Sequence, residues 1–172
     1  MSDEARAVRL SLRLDATIYA AIKQEALTEK REVTEHIQRI LAEHAIQKKL
    51  LDAAKAKEYV LMWSLVTRAV ETARKICRDG GFGSDITFKA IQACMDDPKW
   101  AAEYEEYVQD NPYKNGNPRK TPINQEIGYR IRVGIGGITT KAPDGKSAKA
   151  TVTGSIIQSY TPMESYTESA VL

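Results

Sequence analysis

Arg9, Ser11 and Arg13 stand two residues apart in the run Arg9-Leu10-Ser11-Leu12-Arg13-Leu14-Asp15. In an extended chain that spacing puts two guanidinium groups and a hydroxyl on one face, because strand side chains alternate between faces. Each guanidinium offers a planar fork of donors, and the hydroxyl both donates and accepts. The result is a polar comb able to meet a row of acceptors, although the same alternation also describes a solvated edge strand. Leu10, Leu12 and Leu14 take the other face. A strand this short cannot bury three leucines by itself, so the pattern asks for a second copy of the same segment.

The elements that must hold the comb follow at once. Asp15 or Thr17 can cap a helix running to about Lys30, with Ile18, Ala21, Ile22 and Ala26 or Leu27 along one face. After Glu29-Lys30-Arg31-Glu32 a second helix opens near Thr34, with Ile37, Ile40, Leu41 and Ala45 inward.

Strand, helix, turn and helix over residues 8–46 resemble the ribbon-helix-helix family of Arc- and MetJ-type DNA-binding proteins. The resemblance rests on the RLSLRL strand, the Asp/Thr cap, Ala26, the Arg31-Glu32-Val33 turn, and Ile37 and Leu41. It implies an intertwined dimer whose two strands form an antiparallel ribbon in the major groove of double-stranded DNA. Arg9, Ser11 and Arg13 would then read bases, an arginine meeting guanine O6 and N7 in a bidentate contact. The start of the second helix would clamp phosphate through free backbone N–H groups, placing Lys30, Arg31, Val33 and Thr34 at the DNA backbone. Two positions depart from the family: Lys30 stands where glycine is usual, and Glu32 where a small hydroxyl residue is usual.

The remaining chain reads as assembly machinery. Residues 1–50 carry nine basic and eight acidic side chains, residues 51–110 eight and eleven, and residues 111–172 eight and four, giving +1, −3 and +4. An acidic middle suits an assembly core better than a groove-binding surface. No Gly or Pro occurs before Gly80, and from Gln47 to about Asp79 nothing interrupts a helix. Its inner face reads as Val60, Trp63, Val66 or Thr67, Val70, Ala73 and Cys77, with Leu61, Met62 and Leu65 as a second face. The Gly80, Gly81 and Gly83 cluster then reads as a C-cap and hinge. Ser84 would cap a helix carrying Ile86, Ala90, Ile91, Cys94 and Met95, and Asp97-Pro98 would open another with Trp100, Tyr104, Tyr107 and Val108 as its stripe.

Residues 111–122 are rich in Pro and Asn, so they form a loop. A short helix bearing Ile123, Ile127 and Ile131 comes next. Lys114, Arg119, Lys120, Arg130 and Arg132 could make a second basic surface for phosphate, or belong to a solvated linker and a docking helix. Beyond Gly134 a β-hairpin is expected around Ala142-Pro143-Asp144-Gly145, and the last dozen residues read as a tail.

Catalytic patterns are missing. His36 and His44 are eight residues apart rather than four, so they do not form a helical metal pair, and no metal or cofactor motif stands out. There is no GxSxG, phosphate-binding loop or Cys-His signature, and Asp96, Asp97, Glu103, Glu105 and Glu106 read as a solvated acidic face. Cys77 and Cys94 suggest a reduced, cytoplasmic chain with small core cysteines, and no signal peptide or membrane span is expected.

The expectation is a mainly α protein in three parts: a ribbon-helix-helix module over residues 1–46, a helical oligomerisation or partner-binding region over 47–110, and a basic linker, short helix and β-hairpin tail over 111–172. Its partners would be DNA, itself, and a protein docking on residues 47–172. The function expected first is sequence-specific DNA binding as a transcriptional repressor; the alternatives are a phage-packaging or relaxosome accessory factor that docks an enzyme, and a virion or protein-assembly component that uses the module only to dimerise.

Overall fold

The computed structural model describes residues 10–29 and 31–172, which form six α-helices and four short strands. The chain divides into two compact units, Met1–Arg39 and Ile40–Leu172. Among the described residues no helix is long and apolar enough to cross a membrane.

In the first unit, residues 10–15 carry no regular secondary structure, and α1 spans Ala16–Thr28. The helix starts where it does because the Asp15 carboxylate accepts hydrogen bonds from the backbone N–H groups of Thr17 at 2.8 Å and Ile18 at 3.4 Å. Those N–H groups have no partner inside the helix, so the side chain satisfies them. The Thr17 N–H, and then that of Ile18, holds the Asp15 carboxyl below the usual carboxylate range. The chain turns back where the Arg31 N–H donates to the Ala26 carbonyl at 2.8 Å, and α2 runs over Val33–Gln47. Ala26 and His36 are the buried residues among those described in this unit. A 13-residue helix that buries one alanine is marginal, since isolated helices of this length barely hold in water.

The second unit begins inside α2 and contradicts the uninterrupted helix expected after Gln47. α2 stops at Gln47 and α3 starts at Ala53. Lys49 adopts a left-handed conformation with φ 55°, and the Leu50 N–H closes on the Ala45 carbonyl at 2.8 Å. That is a helix-ending turn made without glycine, at a cost of about 1–2 kcal/mol. Asp52 then accepts from the Lys55 N–H at 2.8 Å and opens the next helix.

α3 (Ala53–Arg78) packs against α4 (Ile86–Met95), α5 (Pro98–Val108) and α6 (Lys120–Gly134). Its inward line is Leu65, Ala69, Ala73 and Cys77, spaced by four, whereas Val60 and Thr67 face solvent. Gly80, at φ 76°, ends α3, and the Gly81 N–H reaches back to the Ile76 carbonyl at 2.9 Å. Ser84 does not cap α4; Asp85 holds that position without a side-chain bond, while the Ser84 carbonyl accepts from the Met163 N–H at 3.0 Å.

Asp97 caps α5 by accepting from the Lys99 N–H at 2.9 Å and the Trp100 N–H at 3.4 Å, with Pro98 in the first turn. Trp100 is fully buried, donates through Nε1 to the Leu65 carbonyl at 3.1 Å, and stacks on Tyr104 with ring centroids 5.1 Å apart. α6 presents Ile123, Ile127 and Ile131 to the same core. At Gly134 α6 approaches so closely that a Cβ would overlap Val70.

The C-terminal strands pair differently from a simple hairpin. β1 (Ile138–Thr139) pairs antiparallel with β4 (Met163–Ser165), and β2 (Ala150–Thr151) with β3 (Ser159–Tyr160). A single bridge between Lys141 and Ser147 closes the Pro143-Asp144-Gly145 turn. The expected tail is built into the unit. Met163 and Val171 are buried, Arg78 Nη1 donates to the Val171 carbonyl at 2.9 Å, and the Tyr166 hydroxyl donates to the Cys77 carbonyl at 3.4 Å.

Candidate functional site

Of the three comb residues, Ser11 and Arg13 are exposed, and Arg9 lies outside the described residues. Leu10, Leu12 and Leu14 are exposed as well, together with Ile18, Tyr19 and Leu27 of α1. Among the described residues of the first unit, Ser11, Arg13 and these six apolar side chains all face water. A charged comb needs no cover, but a run of leucines does.

The helix start expected to grip phosphate is partly occupied by the chain's own groups. Lys30 lies outside the described residues. Arg31 is largely buried and pairs with Glu29 at 2.8 Å. Glu29 is shared, since its carboxylate also lies 3.7 Å from His36 Nδ1, and Glu25 lies 3.2 Å from His36 Nε2. These contacts tie the first turns of α2 to the last turn of α1. Val33 is half-buried and Thr34 is exposed at the beginning of α2. Of the residues expected at that clamp, Val33 and Thr34 stand at the helix start, and Arg31 is turned toward Glu29.

The second basic surface, expected from Lys114, Arg119, Lys120, Arg130 and Arg132, is dispersed by internal partners. Lys114 pairs with Asp110 at 2.8 Å, Arg119 lies 3.8 Å from Glu58 and donates to the Tyr107 carbonyl at 3.3 Å, and Arg130 pairs with Glu126 at 2.6 Å. Lys120 is buried, donates from Nζ to the Lys114 carbonyl at 2.8 Å, and has its pKa lowered chiefly by burial. Arg132 packs over the Tyr129 ring at 5.3 Å. Each of the five thus has a partner within the chain. Among the described residues there is also no group of three His, Cys, Asp or Glu side chains placed to hold a metal ion.

The second unit instead contains a cleft of about 830 Å³ walled by α6, the 115–118 loop, α4 and the C-terminal strands. Its lining includes Lys120, Arg132 and Lys149, five Asn and Gln side chains, Tyr129 and Tyr160, and, among the described residues, no carboxylate. Asn124 is held in place there, accepting from the Tyr104 hydroxyl at 2.7 Å and donating to the Ile156 carbonyl at 3.1 Å. Gly128 sits mid-helix in the wall, where glycine costs about 0.5–1 kcal/mol relative to alanine. Packing does not demand it, because an added Cβ would find its nearest neighbour, Thr87 Cγ2, at 3.9 Å.

No family model, no curated protein and no solved structure matches this chain. The cleft is not legible in the sequence, because its walls come from segments up to 76 residues apart, Thr87 to Met163. One signal was available: a glycine in the middle of the Ile123, Ile127, Ile131 helix.

Proposed function

We propose that this protein binds double-stranded DNA sequence-specifically as a dimer, in the manner of a transcriptional repressor, through a ribbon-helix-helix module near its N-terminus. One observation carries the reading: Leu10, Leu12 and Leu14, which alternate with Ser11 and Arg13 along the chain, are left to water in the single chain. A second copy aligned antiparallel would cover those leucines and double the polar comb. Arg9, Ser11 and Arg13 would read base edges, while the α2 start at Val33 and Thr34 would meet phosphate. The exposed apolar residues of α1, and its burial of a single alanine, support the same pairing, because the helix lacks a core of its own.

A second reading, an accessory factor that docks a packaging or relaxosome enzyme on DNA, draws support from the second unit. That unit has its own core and exceeds anything the module needs for reading DNA.

Selection from random duplexes followed by gel shift tests the proposal. Wild type should enrich one sequence and lose affinity steeply with salt. Arg9→Ala with Arg13→Ala should relax the selected positions, at about 1–3 kcal/mol for each bidentate arginine–guanine pair removed. Equal binding of mixed duplexes by wild type and the double variant would overturn it.

A further inference from the structure

We propose that the cleft of the second unit is a binding site for a nucleoside phosphate. Its volume of about 830 Å³ falls in the range of roughly 300–1,000 Å³ that small-molecule sites occupy. The charge is one-sided. Lys120, Arg132 and Lys149 line it, and among the described residues no Asp or Glu does. Neither Arg132 nor Lys149 takes part in an ion pair among the described residues, so both cations remain available to an anion, while Lys120 adds a buried ammonium within the wall. Elsewhere in the same stretch the basic residues have carboxylates beside them, as Lys114 and Arg130 do. Unpaired cations gathered in an acid-free concavity match a dianion such as a phosphate monoester.

The rest of the lining fits the remainder of that ligand. Asn124, locked by Tyr104 and the Ile156 carbonyl, and Gln158, whose Nε2 donates to Asn115 Oδ1 at 3.0 Å, each keep a second amide N–H, and Gln125 brings a further amide, suited to a base edge or sugar hydroxyls. Tyr129 and Tyr160 add ring faces, and Tyr160 already stacks near-parallel on Phe88 at 6.0 Å. Gly128 is the most telling wall residue. A mid-helix glycine that neither a positive φ nor a tight neighbour requires leaves that stretch of the cleft wall without a side chain. No side chain caps the start of α6, whose first-turn residue Thr121 also lines the cleft.

The same chemistry could be presented by a free mononucleotide or by one nucleotide of a single strand. Isothermal titration of the full chain, without duplex DNA, separates them. The titrants are AMP, GMP, CMP and UMP, the corresponding nucleosides, inorganic phosphate, and a short oligothymidylate. At least one mononucleotide should bind with submillimolar affinity, and its nucleoside about tenfold or more weaker, as expected when the phosphate and its charge-assisted hydrogen bonds are removed. Mononucleotide binding equal to or tighter than that of the oligonucleotide identifies the free nucleotide as the ligand, and the reverse order identifies a strand. Arg132→Gln with Lys149→Gln should weaken binding about tenfold or more. Gly128→Leu should abolish it, and Gly128→Ala should weaken it while raising the melting temperature, so a folding defect cannot mimic the result. The proposal is overturned if no mononucleotide binds, if phosphate alone binds as well as every nucleotide, or if the Gly128 and cation variants bind like wild type.

Discussion

Leu12→Ser is the sharpest probe of the dimer. In the single chain Leu10, Leu12 and Leu14 are 70, 54 and 39% exposed. Full burial of a leucine contributes about 1.5–3 kcal/mol, so covering what Leu12 shows to water is worth about 1–1.5 kcal/mol in each chain. Two chains lose it together, giving about 2–3 kcal/mol, or a dimer weakened by about 30- to 150-fold. The folded single chain should be indifferent, because exposed positions without special contacts usually change stability by less than about 0.5 kcal/mol. Sedimentation equilibrium over a concentration series gives the dimer constant, and far-ultraviolet circular dichroism tests the unchanged helices. The reasoning fails if Leu12→Ser dimerises as tightly as wild type, or if wild type sediments as a monomer at every concentration.

Two further outcomes concern the second unit. Asp97→Ala removes both capping bonds at the start of α5 and should lower stability by about 1 kcal/mol, seen as a lower urea midpoint at unchanged slope. Tyr104→Phe tests the buried phenol, whose pKa is raised well above the ordinary tyrosine value, first by burial. A group with a raised folded pKa contributes its stability fully below the unfolded value and loses it as pH rises. Wild type should therefore weaken as pH climbs past about 10, where the unfolded phenol ionises and the folded one does not. Tyr104→Phe should weaken less over that window, while losing the hydroxyl bond to Asn124, about 1 kcal/mol, at neutral pH. Parallel alkaline stability curves for the two proteins would contradict this.

Local signals carried the helices whose ends and stripes are written in neighbouring residues. Asp97-Pro98 with Trp100, Tyr104 and Val108 defined α5, and the four-residue spacing of Ile123, Ile127 and Ile131 defined α6. The break between α2 and α3 was hidden because Lys49 takes a left-handed conformation that sequence reserves for glycine. Of the inner line of α3, Leu65, Ala73 and Cys77 were legible and Ala69 was not, because a lone alanine weighs little in a hydrophobic pattern. Charge was the least legible feature. Glu58 and Glu126 stand beside Arg119 and Arg130, and neighbours of opposite sign across a fold, such as Glu58 and Arg119, cannot be counted from a linear run. The cleft followed the same rule, being walled by Lys149 and Arg132 from different elements.

The long reach of α3 has a consequence for synthesis. Its last turn is completed by residues synthesised some 90 positions later, since Arg78 grips the carbonyl of Val171 and Cys77 receives the hydroxyl of Tyr166. Contacts spanning some 90 residues form slowly and late. Among the described residues of the first unit the internal bonds join neighbours such as Arg31 and Ala26. A nascent chain thus exposes its leucine segment for most of the time needed to build its larger half, and two chains on adjacent ribosomes would have that interval in which to meet.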